Sequence, residues 1–478
     1  MENVNVYAAV SAALIASWIA LRAMKYLIYL IRLSLTFATL KYLIYPQLYR
    51  RRRFCGTVTP FELLAVIAYL VANVICILVG TPSQPQISAR AGVLSVINII
   101  PLLMGGNLSR IADWMGVTLR THAGVHRWVG RTAFAHTLLH TIITVRRSFS
   151  LKNPVHLSGV TASTAIGLLC VLSLPIIRYH FYEFFLKLHS LLVVVLLIAL
   201  WNHVPRKKLA DHLYLIIGIS FLGGTFLYHL LRLAFRNIKH GVPCPRAEIA
   251  PMKDAIKVTV SLARPWEFRA GQYVYLWIPG MSFWAFLQSH PFMVTWWEEQ
   301  GSTTAVSLLV QPLSGFTSNL LKSSDNIFRA AVDGPYGLHH DFGEYGSVFL
   351  FATGIGVASH IPYIRELIKG YNDCKVRTRR VSLIWQLEKE CHQEWVQDWM
   401  DKLLQDDSGY VSLYVLDKFN HSDSKYGDRE VYGQHNRIKK FFGLPDIHKL
   451  LTDEMENRKG KTLVSGMRTL TKKRNYDN

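Results

Sequence analysis

The sequence predicts a chain in two parts. The first is a helical membrane bundle of about seven spans, and the second is a small β-barrel followed by an α/β domain of Rossmann type. Three observations predict this. Apolar runs roughly twenty residues long, punctuated by Lys and Arg, fill the first 240 residues. From Arg246 onward the pattern changes to short alternating strands broken by Gly and Pro. Further on, a strand, a glycine turn and a helix follow in the order of a phosphate cradle.

The 478 residues include 53 Lys+Arg and 32 Asp+Glu, for a formal net charge of +21. Up to His240 there are 24 basic and 5 acidic residues, and from Gly241 onward there are 29 and 27. Nearly the whole excess therefore belongs to the apolar half. A nucleic-acid binder clusters its basic residues on a polar domain, whereas here they separate apolar runs, so the expected partner is the lipid bilayer and not a nucleic acid. Disorder and a purely soluble enzyme are excluded. Cys55, Cys76, Cys170, Cys244, Cys374 and Cys391 form no CxxC pair, which suggests neither a disulfide framework nor a structural zinc site.

The apolar runs mark spans at residues 6–33, 61–80, 89–107, 122–145, 158–177, 181–203 and 212–235. The first lacks a basic stretch before it and a small-residue cleavage site after it, so it reads as an uncleaved helix. With the chain after His240 placed in the cytosol, the basic residues 50–53 and Arg110, Arg120, Arg178, Arg232, Arg236 and Lys239 fall on the cytosolic side, as the positive-inside rule requires. Arg146, Arg147, Lys152 and residues 206–208 fall on the other side and weaken that bias.

Histidine is the informative residue of this half. Ionisable groups at membrane depth are expensive enough to be functional candidates, and eleven histidines precede Gly241. His126 and His140 on the fourth span are separated by 14 residues, as are His189 and His203 on the sixth. At about 100° and 1.5 Å per residue, 14 steps return to within about 40° of the start after a rise of about 21 Å. The two spans run in the same direction, so His126 lies level with His189 and His140 with His203. That arrangement suits two stacked bis-imidazole haem sites, which transfer electrons because no coordination position is left open. Interfacial or core histidines bonded to neighbours are the alternative, and His136 is an alternative ligand to His140. His122, His180, His212 and His229 read as structural.

The run His126-Arg127-Trp128-Val129-Gly130-Arg131, then His140-Thr141, Leu188-His189 and Trp201-Asn202-His203, resembles the ferric reductase transmembrane component shared by fungal ferric-chelate reductases and NADPH oxidases. The resemblance implies that His126, His140, His189 and His203 bind two b-type haems. Arg127 and Arg131 read either as partners of haem propionates or as snorkelling interface residues.

In the second half, residues 256–261, 273–278 and 305–310 read as barrel strands. Arg269-Ala270-Gly271-Gln272-Tyr273 and His290-Pro291-Phe292-Met293-Val294-Thr295 resemble the family's FAD-binding strands, with Met293 in place of the usual threonine. Gly315-Phe316-Thr317 resembles the turn that meets the FAD pyrophosphate, and a plain helix cap is its alternative. Gly334-Pro335-Tyr336-Gly337 matches the family element near the nicotinamide dinucleotide, and by itself it is only a turn. Residues 347–351 read as a buried strand leading to Gly354 and Gly356, whose backbone could approach a diphosphate, then to a helix at 358–367. Residues 381–385 read as the next strand and 391–404 as an amphipathic helix. Residues 461–464 read as a late strand before Ser465-Gly466, where Met467 replaces the proline of the family's loop.

Together these features imply a ferredoxin-NADP reductase-like module behind a di-haem bundle. The expected division is residues 1–60, an N-terminal helix and basic loop; 61–240, the di-haem domain; 241–335, the FAD barrel; and 336–478, an NAD(P)-binding domain incomplete at its C-terminal end. The resemblance implies an NADPH-dependent ferric-chelate reductase of the plasma membrane, acting on ferric chelates or siderophores with FAD and two haems. An NADPH oxidase-type superoxide producer and a non-catalytic haem membrane protein are the alternatives.

Overall fold

The computed structural model describes residues 2–49, 57–81, 83–104, 108–147, 149–204, 212–281, 289–300, 303–313, 315–322, 326–407, 409, 411–417, 429–432, 437–442 and 447–467. The basic runs at 50–53 and 206–208 lie outside the described residues. The chain forms two compact units, Met1–Gly105 with Gly124–Leu222, and Gly106–Ala123 with Gly223–Asn478.

The helices in chain order are α1 (Glu2–Thr39), α2 (Pro60–Leu78), α3 (Gln84–Leu103), α4 (Leu108–Trp114), α5 (Leu119–Arg147), α6 (Pro154–Leu172), α7 (Pro175–His180), α8 (Tyr182–His203) and α9 (Leu213–Asn237). Their starts follow local chemistry. Thr59 and Glu62 form a reciprocal capping box ahead of Pro60, and Asn153 caps the Val155 N–H ahead of Pro154. Pro175 forces a break after α6, so two apolar runs become separate helices.

Among the described residues six helices are long and apolar enough to cross a membrane, against seven expected. The one that falls short is α5, which is 29 residues long. Its four histidines and its arginines cancel its apolar residues, so it is recognised by what it carries and not by its hydropathy. The core of this unit joins α3, α5, α6, α8 and the start of α9, with Ala133, Ala162, Ala165 and Ala199 buried among larger aliphatic residues. Small side chains let helix backbones approach where no hydrophobic force separates protein from lipid.

The second unit holds two sheets. The first contains β1 (Arg246–Met252), β2 (Ala255–Ser261), β3 (Tyr273–Trp277), β4 (His290–Gln300), β5 (Thr303–Val310), β6 (Ile327–Arg329) and β7 (Ala331–Tyr336), with α10 (Phe316–Lys322) between β5 and β6. Its order is β6-β1-β2-β5-β4-β3-β7, antiparallel throughout. Alternate residues Ile256, Val258 and Val260 face its core, as the sequence pattern required.

The second sheet contains β8 (Ser347–Thr353), β9 (Arg380–Gln386), β10 (Val411–Asp417), β11 (Arg429–Tyr432), β12 (Ile438–Phe442) and β13 (Thr462–Met467). The helices α11 (Ile361–Asn372), α12 (Gln397–Asp406) and α13 (Ile447–Glu456) accompany it. Its order is β11-β12-β10-β9-β8-β13, and only β11 is antiparallel. Val348, Phe349 and Leu350 are all fully buried, the mark of a parallel strand covered on both faces. The two glycines lie within a 3₁₀ segment, Gly354–Ser359, and the α-helix starts only at Ile361, with Pro362 in its first turn.

Candidate functional site

The two expected histidine pairs meet. The rings of His126 and His189 have their centres 6.3 Å apart, and those of His140 and His203 lie 6.0 Å apart. With metal–imidazole nitrogen bonds of about 2 Å, two rings in trans sit about 6 Å apart centre to centre. Each pair can therefore take a metal between its rings.

The surroundings of the second pair add detail. His140 Nδ1 lies 2.9 Å from the Ser88 carbonyl and His203 Nδ1 lies 2.8 Å from the Val155 carbonyl. A carbonyl only accepts, so both Nδ1 atoms carry the proton and each Nε2 keeps its lone pair. That is the tautomer a metal ligand needs, and metal-bound histidines usually have the other ring nitrogen fixed by such a bond. Glycine makes room for both rings. A Cβ on Gly92 would stand 3.1 Å from His140 Nδ1, and one on Gly159 would stand 2.7 Å from His203 Cε1. A cavity of about 260 Å³ opens against the same residues, lined also by Thr137, Thr141 and Ser163.

Around the first pair the contacts differ. His189 packs against Phe185 at 5.3 Å, and its Nδ1 has no hydrogen-bond partner among the described residues. Arg131 lies over the Trp128 ring. His136 is buried and faces Asn98, so it turns away from the pair that holds His140. His122, His180 and His212 each bond a backbone carbonyl nearby.

In the second unit the barrel residues cluster around β3, β4 and β7. Tyr273 pairs with Met293 on one side and with Tyr336 on the other. Burial pushes its phenol up to about 12. Gln272 accepts from the Arg269 N–H and closes the turn before β3. Gly271 has φ +84, and the Tyr363 hydroxyl occupies the space a side chain would need, so only glycine fits. His290 stacks on Phe316, with ring centres 4.2 Å apart. Pro291 is exposed and Phe292 half-buried beside the same ring. Thr295 is fully buried, with its hydroxyl unpartnered among the described residues. Gly315 has φ +69, and Thr317 accepts from the Leu313 N–H, which is the local capping alternative.

Gly334-Pro335-Tyr336-Gly337 is engaged by a network that the sequence did not reveal. Arg110 on α4 donates to the Tyr336 hydroxyl at 2.6 Å and to His229 Nδ1 at 3.0 Å, and it pairs with Asp333 at 3.5 Å. Tyr336 in turn donates to Asp333 at 2.6 Å. Burial, then the adjacent Asp333 carboxylate, pushes the Tyr336 phenol up. Arg232 holds the Gly334 carbonyl, and Asp113 accepts from the Gly337 N–H. Arg110, one of the charges expected on the cytosolic side, is 3% exposed. Sequence could not find this role, because the partners lie 119 to 226 residues away.

In the nucleotide sheet, β13 runs beside β8 with Gly466 opposite Phe351. Gly356 has to be glycine, since a Cβ would stand 2.8 Å from the Met467 carbonyl. The turn of Gly354 and Gly356 and the strand end of Ser465 and Gly466 therefore lie side by side. Trp385 donates to the Gly354 carbonyl from the adjacent strand.

Residues 91–200 match the ferric reductase like transmembrane component, 240–340 an FAD-binding domain and 345–474 the ferric reductase NAD binding domain. By this domain set the chain belongs to the ferric reductase family. It is a multi-pass membrane protein whose helices are followed by FAD-binding and NAD-binding domains. It is 28% identical over 353 residues to the probable cell surface ferric reductase kap2 of Aspergillus oryzae, covering 66% of this chain and 45% of that one. It is 24% identical over 339 residues to ferric/cupric reductase transmembrane component 7 of Saccharomyces cerevisiae, covering 66% and 52%. The chain thus spans about half the length of the curated relatives it matches.

Proposed function

We propose that this chain carries electrons from cytosolic NADPH through FAD and two b-type haems to a ferric chelate or siderophore on the far side of the plasma membrane, releasing Fe²⁺. The observation that carries the reading is the pair of facing histidine couples, 6.3 and 6.0 Å between ring centres, in a chain with this domain set. When bound, the cofactors supply hydride acceptance and one-electron chemistry. The protein's part is position and electrostatics.

His126 with His189, and His140 with His203, would hold the two haem irons. With two imidazoles on each iron no position would be left open for oxygen, which would favour electron transfer. Arg127 and Arg131 would face the propionates near the cytosolic end. On β3 and β4, Gln272, Tyr273, His290, Pro291, Phe292 and Thr295 would line the flavin site, with Gly315 and Thr317 at its phosphates. The unpartnered Thr295 hydroxyl supports that reading. Gly354, Gly356, Ser465 and Gly466 would receive the nicotinamide dinucleotide beside Gly334, Pro335, Tyr336 and Gly337. The corresponding domains are residues 61–240, 241–335 and 336–478. Grouping of α4 with the barrel supports one cytosolic side for both. Arg146 and Arg147, exposed at the end of α5, would draw anionic chelates from outside.

The test is spectroscopic. Purified protein should hold one FAD and two haems per chain, and NADPH should shift the Soret band to its reduced position. A ferric chelate should then reoxidise the haems faster than oxygen does. FAD retained while both haems stay oxidised under NADPH would defeat the reading.

A further inference from the structure

A second metal-ligating cluster lies in the reductase half, away from the histidine pairs. Asp254 sits in the turn between β1 and β2, and Cys391 and His392 sit in the 3₁₀ segment after β9. One ligand atom from each lies within 4.8 Å of the other two, the only such group among the described residues. Cys391 Sγ is 3.8 Å from Asp254 Oδ2. A tetrahedral ion with bonds of about 2.0–2.3 Å holds its ligand atoms about 3.3–3.7 Å apart. The side chains are thus within about 1 Å of a ligating geometry.

His392 supplies an independent observation. It is 3% exposed, stacks on Trp395 at 3.7 Å, and its Nδ1 has no partner among the described residues. A buried polar nitrogen without a partner is destabilising, so its retention calls for an explanation. The competing occupant of the carboxylate is Lys389, 2.8 Å from Asp254 Oδ2. That ion pair is exposed on both sides, and such pairs contribute little to stability, so a cation can displace it.

We propose that Asp254, Cys391 and His392 form a binding site for a zinc-class divalent cation, with water in the fourth position. Thiolate, imidazole and carboxylate together select a borderline-soft ion over Mg²⁺ or Ca²⁺. Because Asp254 belongs to the barrel hairpin and the other two to the nucleotide domain, the bound ion ties these two domains together. Sequence concealed the site: its Cys and His are adjacent and its third ligand lies 137 residues earlier.

The experiment uses the full-length protein in detergent with FAD bound, and iodoacetamide as the probe of each cysteine, read by peptide mass spectrometry. Stoichiometric Zn²⁺ should slow alkylation of Cys391 by about tenfold or more and leave Cys76, Cys244 and Cys374 unchanged, while Mg²⁺ has no effect. Co²⁺ should give the visible bands of a tetrahedral thiolate site. Asp254 has φ +61, which Asn tolerates, so Asp254→Asn keeps the turn and should remove most of the protection; His392→Gln should do the same. Equal alkylation of Cys391 with and without Zn²⁺, or full protection surviving in Asp254→Asn and His392→Gln, would overturn the proposal.

Discussion

The two histidine pairs share a spacing in sequence and nearly the same ring separation, yet they are held in different ways. His140 and His203 each donate Nδ1–H to a backbone carbonyl of a neighbouring helix, and each rests on a glycine. His189 has no such hydrogen bond and leans on Phe185. Spacing therefore sets the level of each pair, while residues on other helices set how firmly each ring is aimed. A ring already fixed in tautomer and orientation has less freedom to lose on binding.

Four substitutions test that contrast, in falling order of effect. His203→Ala should leave one haem per chain and lower ferric-chelate reduction by more than about a hundredfold. A pyridine haemochrome assay still giving two haems would break the pairing. Gly159→Ala pushes a methyl to 2.7 Å from the His203 ring. Overpacking of that kind costs about 1–3 kcal/mol, so haem at the 140/203 pair should be lost about tenfold faster while the 126/189 haem stays. Equal loss at both would erase the contrast.

Phe185→Ala should act on the other pair alone. An aromatic contact contributes about 0.5–1.5 kcal/mol, so haem transfer to apomyoglobin from the 126/189 pair should quicken several-fold. An effect on the 140/203 haem instead would show that the pairs are not independently held. Ser88→Ala is the mildest. It removes a hydroxyl 3.2 Å from His140 Nδ1 but keeps the accepting carbonyl. Its effect should stay under about 1 kcal/mol, and a larger change in haem loss would assign the aiming to the hydroxyl.

The histidine pairs were legible because the chemistry is periodic: 14 residues on each of two parallel helices carry the whole argument. Their glycine neighbours were not, since Gly92 and Gly159 meet the rings from α3 and α6, and no local pattern reports a contact between helices. Alternation revealed β2 and β5, and continuous burial revealed β8. The glycine turn was legible but not its 3₁₀ form, which runs to Ser359 before the helix begins at Ile361. The strands β11 and β12 and the helix α13 had no distinct signal amid mixed polar sequence. Charge counting gave no hint that Arg110 is buried, because topology counting treats every arginine as hydrated.

That arginine has a consequence for how the protein is made. Its carboxylate partner Asp333 follows 223 residues later. At about 5–20 residues per second, the ribosome needs roughly 10–45 s to supply it. Throughout that interval the Arg110 guanidinium has to stay in water, because burying it alone would leave an uncompensated charge. The loop between the third and fourth long helices is therefore among the last parts of the membrane half to settle, although it is among the earlier ones to be synthesised.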